Sequence, residues 1–112
     1  MKPISLELGG HGPVLVFEDA DIEAAAADGA ANRFRGTGQI CISSTRFLIQ
    51  RGAYDRFVGR FVAATRELVI GDGMAQGTQV GPLANERQLE KMAALVDDRV
   101  GGEASALLLA RD

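Results

Sequence analysis

The chain has 112 residues, of which 46% are hydrophobic, so it is long enough for one domain or part of one and too apolar to be a disordered tail. The net charge of −3, with its 12 basic residues spread along the chain, lacks the basic patch of a nucleic-acid binder. One cysteine and one histidine cannot form a disulfide or a zinc site, and no apolar run reaches the roughly 20 residues that cross a bilayer. The start of the chain lacks the apolar region of a signal peptide, so a cytoplasmic location is expected.

Two strands are predicted before the first helix. Residues 4–8 alternate between apolar and polar side chains, which predicts a strand that stops at the glycine pair 9–10. Pro13 belongs to the loop that follows. Residues 14–17 are a continuous apolar run, as expected for a strand in a sheet that is covered on both faces.

The next elements are an alanine-rich helix and a third strand. Asp19 and Asp21 offer side-chain oxygens that can cap the start of the helix, which should continue to about Phe34. The many alanines predict close packing against a neighbouring element. Residues 46–50 then read as a strand.

The second half of the chain has two clear helices. Apolar residues recur every three or four positions over residues 54–68, which predicts an amphipathic helix, and residues 69–70 form a short extended piece. Asn85 followed by Gln88 resembles a capping box at the start of a last helix. Residues 107–109 could be a final strand. This order of strands and helices is that of an α/β fold with a largely parallel sheet.

Cys41 is the first candidate for chemistry. A single cysteine is more often a small buried apolar residue than a nucleophile. The glycine-containing segment 36–39 before it can approach another group closely and can aim backbone N–H groups at an oxyanion. Arg33, Arg35 and Arg46 could favour the reactive thiolate. Both interpretations of Cys41 stay open on local sequence.

Glu7 is the second candidate. The simpler interpretation is an exposed carboxylate on a strand. The functional one is suggested by the glycine pair 9–10, because α/β folds place active residues where strands run into glycine turns. Neither this pair nor the glycines before Cys41 complete a dinucleotide fingerprint.

The two sites together are more informative than either alone. Glu7 opens the motif ELGG and Cys41 closes the motif GQxC, 34 positions later (41 − 7). The segment PVLVFEDADIEAAA lies between them, and TRFLIQRGAYDRFV, VIGDG and VGPLANERQLEKM follow. This combination, which covers nearly the whole chain, resembles the aldehyde dehydrogenase superfamily.

The resemblance implies an oxidoreductase that converts an aldehyde to a carboxylate with NAD or NADP. Cys41 stands where the family has the nucleophile that attacks the aldehyde, and hydride transfer then leaves a thioester. Glu7 stands where the family activates the water that hydrolyses this thioester. The backbone around Leu8 and Gly9 is expected to face the nicotinamide, and the Cys41 N–H to help stabilise the oxyanion. No metal is implied.

The segment FRGTGQIC looks most like the succinate-semialdehyde branch of the family. There the arginine of FRN helps to hold the distal carboxylate of the substrate, and Arg35 matches it. A structural salt bridge is the alternative role for Arg35. The chain departs from that branch at Gly36, where asparagine is usual, and at Ser43, where some members have a second cysteine. His11 is expected to be a surface residue.

Residues 1–112 are expected to be part of an aldehyde dehydrogenase catalytic domain, a partial three-layer α/β unit. The cofactor-binding and oligomerisation parts of such an enzyme, which in the family is commonly a homo-oligomer, are expected to be absent. The 112-residue chain alone is therefore not expected to reduce NAD or NADP. The alternative is a non-catalytic remnant that pairs with a full-length subunit.

Overall fold

The computed structural model of the chain describes residues 2–6, 8 and 10–101. These residues form two strands, three helices and two short 3₁₀ turns. In chain order they are β1 (Gly12–Val16), α1 (Ile22–Phe34), a turn at Arg35–Gly38, β2 (Ser44–Ile49), a turn at Arg51–Ala53, α2 (Tyr54–Arg66) and α3 (Glu86–Gly101).

The two strands pair in parallel, with Val14 opposite Phe47 and Val16 opposite Ile49. These four side chains lie on the face of the sheet that packs against the helices. The α/β class and the parallel pairing predicted from the sequence are confirmed. The strands alternate as parallel strands do, so Leu15 lies on the opposite face of the sheet.

Helix α1 begins at a side-chain cap. Asp21 Oδ1 accepts a hydrogen bond from the Ala24 N–H at 3.1 Å, which satisfies one of the free donors of the first turn. Of the two predicted capping residues, Asp21 is therefore the cap. Ala26 and Ala30 are buried, and the helix packs closely against α2, as its alanine content predicts.

The core is built around three phenylalanine rings. Phe57 of α2 is buried, with its ring centroid 5.7 Å from those of Phe47 and Phe61. The rings of Phe47 and Phe61 meet edge to face at 5.2 Å. Such pairs add specific attraction to the burial of apolar area. They hold α2 against β2.

Several element boundaries differ from the predictions. Residues 4–6 and 8 form no strand. Ile4, the first apolar residue of that pattern, is 80% exposed, and the alternating pattern predicts a strand only where one face is buried and the backbone has a partner. Strand β1 begins at Gly12 rather than at residue 14 and includes Pro13, which an edge strand tolerates because no N–H is needed on its open side.

The second half of the chain agrees more closely with its pattern. Helix α2 ends at Arg66, two residues before the predicted end. Ile70 forms a parallel bridge with Val80, in agreement with the short extended piece expected there. The Gln88 N–H donates to Asn85 Oδ1 at 3.0 Å, which confirms the cap of α3. The strand predicted at residues 107–109 lies outside the described residues.

No helix within the described ranges is both long enough and apolar enough to cross a membrane.

Candidate active site

Cys41 occupies a tight turn that leads directly into β2. The Ser43 N–H donates to the Ile40 carbonyl at 3.0 Å, which closes a four-residue turn with Cys41 and Ile42 at its centre. The thiol is free and the residue is exposed. Such a cysteine is accessible to a small electrophile and is not the buried apolar residue of the simpler interpretation.

The segment that follows the ELGG motif lies at the same edge of the sheet as this turn. Gly12 at the start of β1 is opposite Ser44 at the start of β2. A Cβ at Gly12 would come within 2.9 Å of the Ser43 carbonyl oxygen, so only glycine allows this approach. His11 Nδ1 lies 3.1 Å from Thr45 Oγ1, which links the two segments again.

The segment after the glutamate motif and the cysteine turn therefore meet at the amino ends of two parallel strands. The sequence interpretation placed Glu7 at the carboxyl end of a strand, by analogy with other α/β proteins. The strand is wrong for the described residues, because residues 4–6 and 8 form no strand and the next strand begins only at Gly12. Glu7 itself lies outside the described residues, so its placement stays a prediction.

Not every predicted site residue can be located. Glu7 and Gly9 lie outside the described residues, so their roles stay predictions. Leu8 is 80% exposed and could present an apolar surface. Arg35 is exposed and directly follows α1, where its backbone N–H donates to the Ala31 carbonyl. No ion pair joins Arg35 to another residue of the described part, so the structural salt bridge considered for it is not formed there.

The loop before Cys41 has an unusual backbone. Gly36, Thr37 and Gly38 all have positive φ, and for Thr37 this conformation is strained. Its hydroxyl lies 3.1 Å from the Gly81 carbonyl and 3.4 Å from that of Pro82, and its single proton can satisfy either. This contact anchors the strained residue to the segment VGPL.

Residues that the sequence interpretation did not assign also hold the loop. Asn32 and Ser43 contact each other across the loop, and Arg33, expected only to favour the thiolate, hydrogen bonds to the loop itself. The hydroxyl of Thr45 accepts from the Gly12 N–H at 3.1 Å. Small polar residues on both sides of a cysteine are the only sequence signal for these contacts, and that signal does not say which pairs form.

These features define an α/β protein with an exposed cysteine turn at the amino ends of two parallel strands. The segment that follows a glutamate motif lies beside this turn. The profile of the aldehyde dehydrogenase family matches residues 1–110. The chain belongs to this family, and the resemblance drawn from its two motifs is confirmed.

Named relatives give the same result. Mitochondrial succinate-semialdehyde dehydrogenase of Mus musculus is 43% identical over 108 residues, which are 96% of this chain and 21% of that protein. The NAD-dependent benzaldehyde dehydrogenase of Corynebacterium glutamicum has a TM-score of 0.88 at 37% identity, over 99% of this chain and 24% of that one. An NADP-dependent enzyme of E. coli has a TM-score of 0.85 at 37% identity, over 91% and 21% of the two chains. The chain thus spans about a fifth of the length of the curated relative.

Proposed function

We propose that the protein takes part in the oxidation of an aldehyde, and of a semialdehyde in particular, to a carboxylate with NAD or NADP. The observation that carries the proposal is the exposed Cys41 thiol, on a turn at the sheet edge where the segment after Glu7 also lies. The names of the similar proteins support the substrate class and both cofactors. Because the chain covers only a fifth of the curated relative, the proposal concerns the whole enzyme to which such a chain contributes.

In the proposed reaction the Cys41 thiolate adds to the carbonyl carbon of the aldehyde. A C–S bond forms, the carbonyl electron pair moves to oxygen, and the backbone N–H of Cys41 helps to stabilise this oxyanion. Bound NAD or NADP supplies the hydride acceptor. Loss of hydride from the same carbon restores the C=O bond and leaves a thioester on Cys41.

Glu7 is proposed to act in the second half of the reaction. Its carboxylate takes a proton from water while the water oxygen attacks the thioester carbon. The C–S bond then breaks, and the carboxylic acid leaves as the Cys41 thiolate is regenerated. Leu8 and Gly9 would hold the nicotinamide, and an exposed apolar side chain such as Leu8 suits contact with a flat ring.

Arg35 is proposed to recognise the second polar group of the substrate. Arg35 is exposed and stands three residues before Gly38 in the chain, at the start of the cysteine loop. Since no ion pair occupies it within the described residues, its planar donors could bind a distal carboxylate. The family resemblance also supports a homo-oligomeric enzyme.

The test is a chimera in which residues 1–112 replace the matching segment of the Mus musculus relative. Oxidation of succinate semialdehyde is followed through the reduced nicotinamide. Cys41→Ser should lower kcat by several orders of magnitude, because an alcohol at that position is far less nucleophilic than a thiolate. Glu7→Gln should let the thioester accumulate after a burst of one turnover, which mass spectrometry would detect. Ser5→Ala, at an exposed residue outside the loop, should leave the rate unchanged.

The substrate class has its own test. Arg35→Met should raise KM for succinate semialdehyde and leave KM for butanal, which has no carboxylate, unchanged. An equal rise for both aldehydes would contradict the role of Arg35. Full activity of the Cys41→Ser chimera would contradict the proposed function as a whole.

A second candidate function is pairing with a longer polypeptide of the same family. The observation that favours it is the face of the sheet opposite the helices, where Leu15 and Leu48 lie side by side and are 59% and 58% exposed. Co-expression of the chain with a tagged full-length family member tests it. Co-purification that Leu15→Glu abolishes would support pairing, and a monomer recovered alone would count against it.

A further inference from the structure

The last turn of α1 contacts the cysteine turn through a buried hydroxyl. Ser43, which closes the turn around Cys41, is only 2% exposed. Its Oγ lies 3.3 Å from the Asn32 carbonyl and 3.2 Å from the Arg33 carbonyl. Carbonyls in the last turn of a helix have no partner within the helix, and the single proton of the Ser43 hydroxyl can satisfy either of these two.

Arg33 adds a second contact from the same helix. One of its guanidinium nitrogens, Nη1, donates to the Gly38 carbonyl at 3.3 Å and to Ser43 Oγ at 3.4 Å. Its positive charge lies at the carboxyl end of α1, where the helix dipole favours it. A Cβ at Gly38 would collide with this guanidinium, so the glycine of the GQxC motif makes the contact possible.

Asn32 fixes the residue after the turn. Its Oδ1 accepts from the Ser44 N–H at 2.9 Å and from the Ser44 hydroxyl at 3.0 Å. Since Ser44 is the first residue of β2, this amide holds the start of the strand at the end of α1. The backbone is therefore held just before Cys41, at Gly38, and just after it, at Ser43 and Ser44.

We propose that Asn32, Arg33 and Ser43 are positioning residues that hold Cys41 in the geometry needed to capture the aldehyde. We call these three residues the helix-end clamp. The inference rests on the proposed function, because it assumes that Cys41 is the nucleophile. A displacement of about 1 Å in a reacting group can cost about 100-fold in rate, so a turn held at both ends by a rigid helix matters for the reaction.

The clamp acts on Cys41 through the backbone. The Ser43 hydroxyl carries no charge. Its removal therefore breaks the hydrogen bond between the turn and α1 without removing a positive charge near the sulfur. Arg33 contributes a charge as well as hydrogen bonds, and substitutions at the two sites can therefore separate position from charge.

The first experiment uses Ser43→Ala in the chimera described above, with Ser5→Ala as the matched control. Active sites are counted from the iodoacetamide bound to Cys41 when activity is fully lost, and circular dichroism checks that each variant is folded. Ser43→Ala is expected to lower kcat per titrated site about tenfold or more while KM for succinate semialdehyde stays within about twofold. A merely structural role would lower the melting temperature and leave kcat per titrated site unchanged, and that result would overturn the proposal.

The second experiment compares Arg33→Lys with Arg33→Met. Both contacts of Arg33 come from one nitrogen, and a lysine ammonium has three donors, so lysine should restore part of the kcat that methionine loses. Equal kcat values for the methionine variant and the parent chimera would overturn the role of Arg33.

A third measurement keeps the clamp separate from the proposed function. Hydrogen exchange of the 112-residue chain reports the Ser43 N–H directly, whether or not the protein oxidises an aldehyde. Ser43→Ala should speed exchange at residues 40–43, and unchanged exchange there would show that the clamp does not hold the turn. A parent chimera whose activity does not depend on Cys41 would instead refute the proposed function, even with the faster exchange.

Discussion

Gly29→Ala is expected to destabilise the protein, although the same change usually stabilises a helix. Gly29 is buried in the middle of α1, beside the phenylalanine rings of the core. A Cβ there would lie 2.9 Å from Phe47 Cε1 and 3.6 Å from Phe61 Cε2. The first contact is shorter than carbon atoms tolerate, so the ring of Phe47 or the helix backbone must shift.

Two effects of opposite sign determine the result. Alanine is favoured over glycine in a helix interior by about 1 kcal/mol. Overpacking a core costs about 1–3 kcal/mol, and Phe47 has little freedom to move because its ring packs against Phe57 and Phe61. We therefore expect a net loss of up to about 2 kcal/mol in the free energy of unfolding.

Gly59→Ala is the matched control. Gly59 lies in the middle of α2, is exposed, and a Cβ there would meet no atom within 4 Å. This variant should gain up to about 1 kcal/mol. The helix-propensity gain cancels when the two variants are compared, so their difference of about 1–3 kcal/mol measures the steric overlap at Gly29 alone.

Urea unfolding of the 112-residue chain, followed by circular dichroism, gives both values from the shift in midpoint at constant slope. In a Phe47→Leu background the cost of Gly29→Ala should shrink, because the shorter side chain leaves room for the new methyl group. If Gly29→Ala stabilised the chain as much as Gly59→Ala does, the close packing of α1 against Phe47 would be refuted.

Two further predictions concern single hydrogen bonds. Asp21→Ala should cost about 1 kcal/mol in urea unfolding, because Asp21 Oδ1 caps α1 through the Ala24 N–H, whereas Asp19→Ala should change stability by less than about 0.5 kcal/mol. Equal effects would show that the cap is not specific. Thr45→Val should speed hydrogen exchange at the Gly12 N–H, which donates to the Thr45 hydroxyl, and an unchanged rate measured by NMR would contradict that contact.

The helices could be predicted from sequence because their signals are local. Asp21 accepts a hydrogen bond from the N–H three residues later, at Ala24. Asn85 accepts one from the N–H of Gln88, also three residues later. The apolar stripe of α2 predicts a helix even when the element that packs against it is not known. Their ends are less certain, as the early end of α2 at Arg66 shows, because the last turn depends on the packing around it.

The strands illustrate the opposite case. Residues 4–8 have the alternating pattern of a strand, yet the described residues among them form none, because a strand exists only where another backbone pairs with it. The pairing of the strands skips Thr45: Ser44 is opposite Gly12, and Arg46 is opposite Pro13. The hydroxyl of Thr45 accepts a hydrogen bond from the Gly12 N–H instead. No pattern in the sequence predicts this bulge.

The sequence by itself determined the family, the α/β order and the identity of Cys41 as the candidate nucleophile. It could do so because two short motifs are recognised by their residue types and by the number of positions between them, and both can be read without a structure. The tertiary structure decided where the segment after the first motif meets the cysteine turn, at the amino ends of β1 and β2, and which side chains hold that turn. Most of those contacts join residues 10 or more positions apart, such as Asn32 with Ser44 and His11 with Thr45. Only the packed helix and sheet bring such residues within hydrogen-bonding distance.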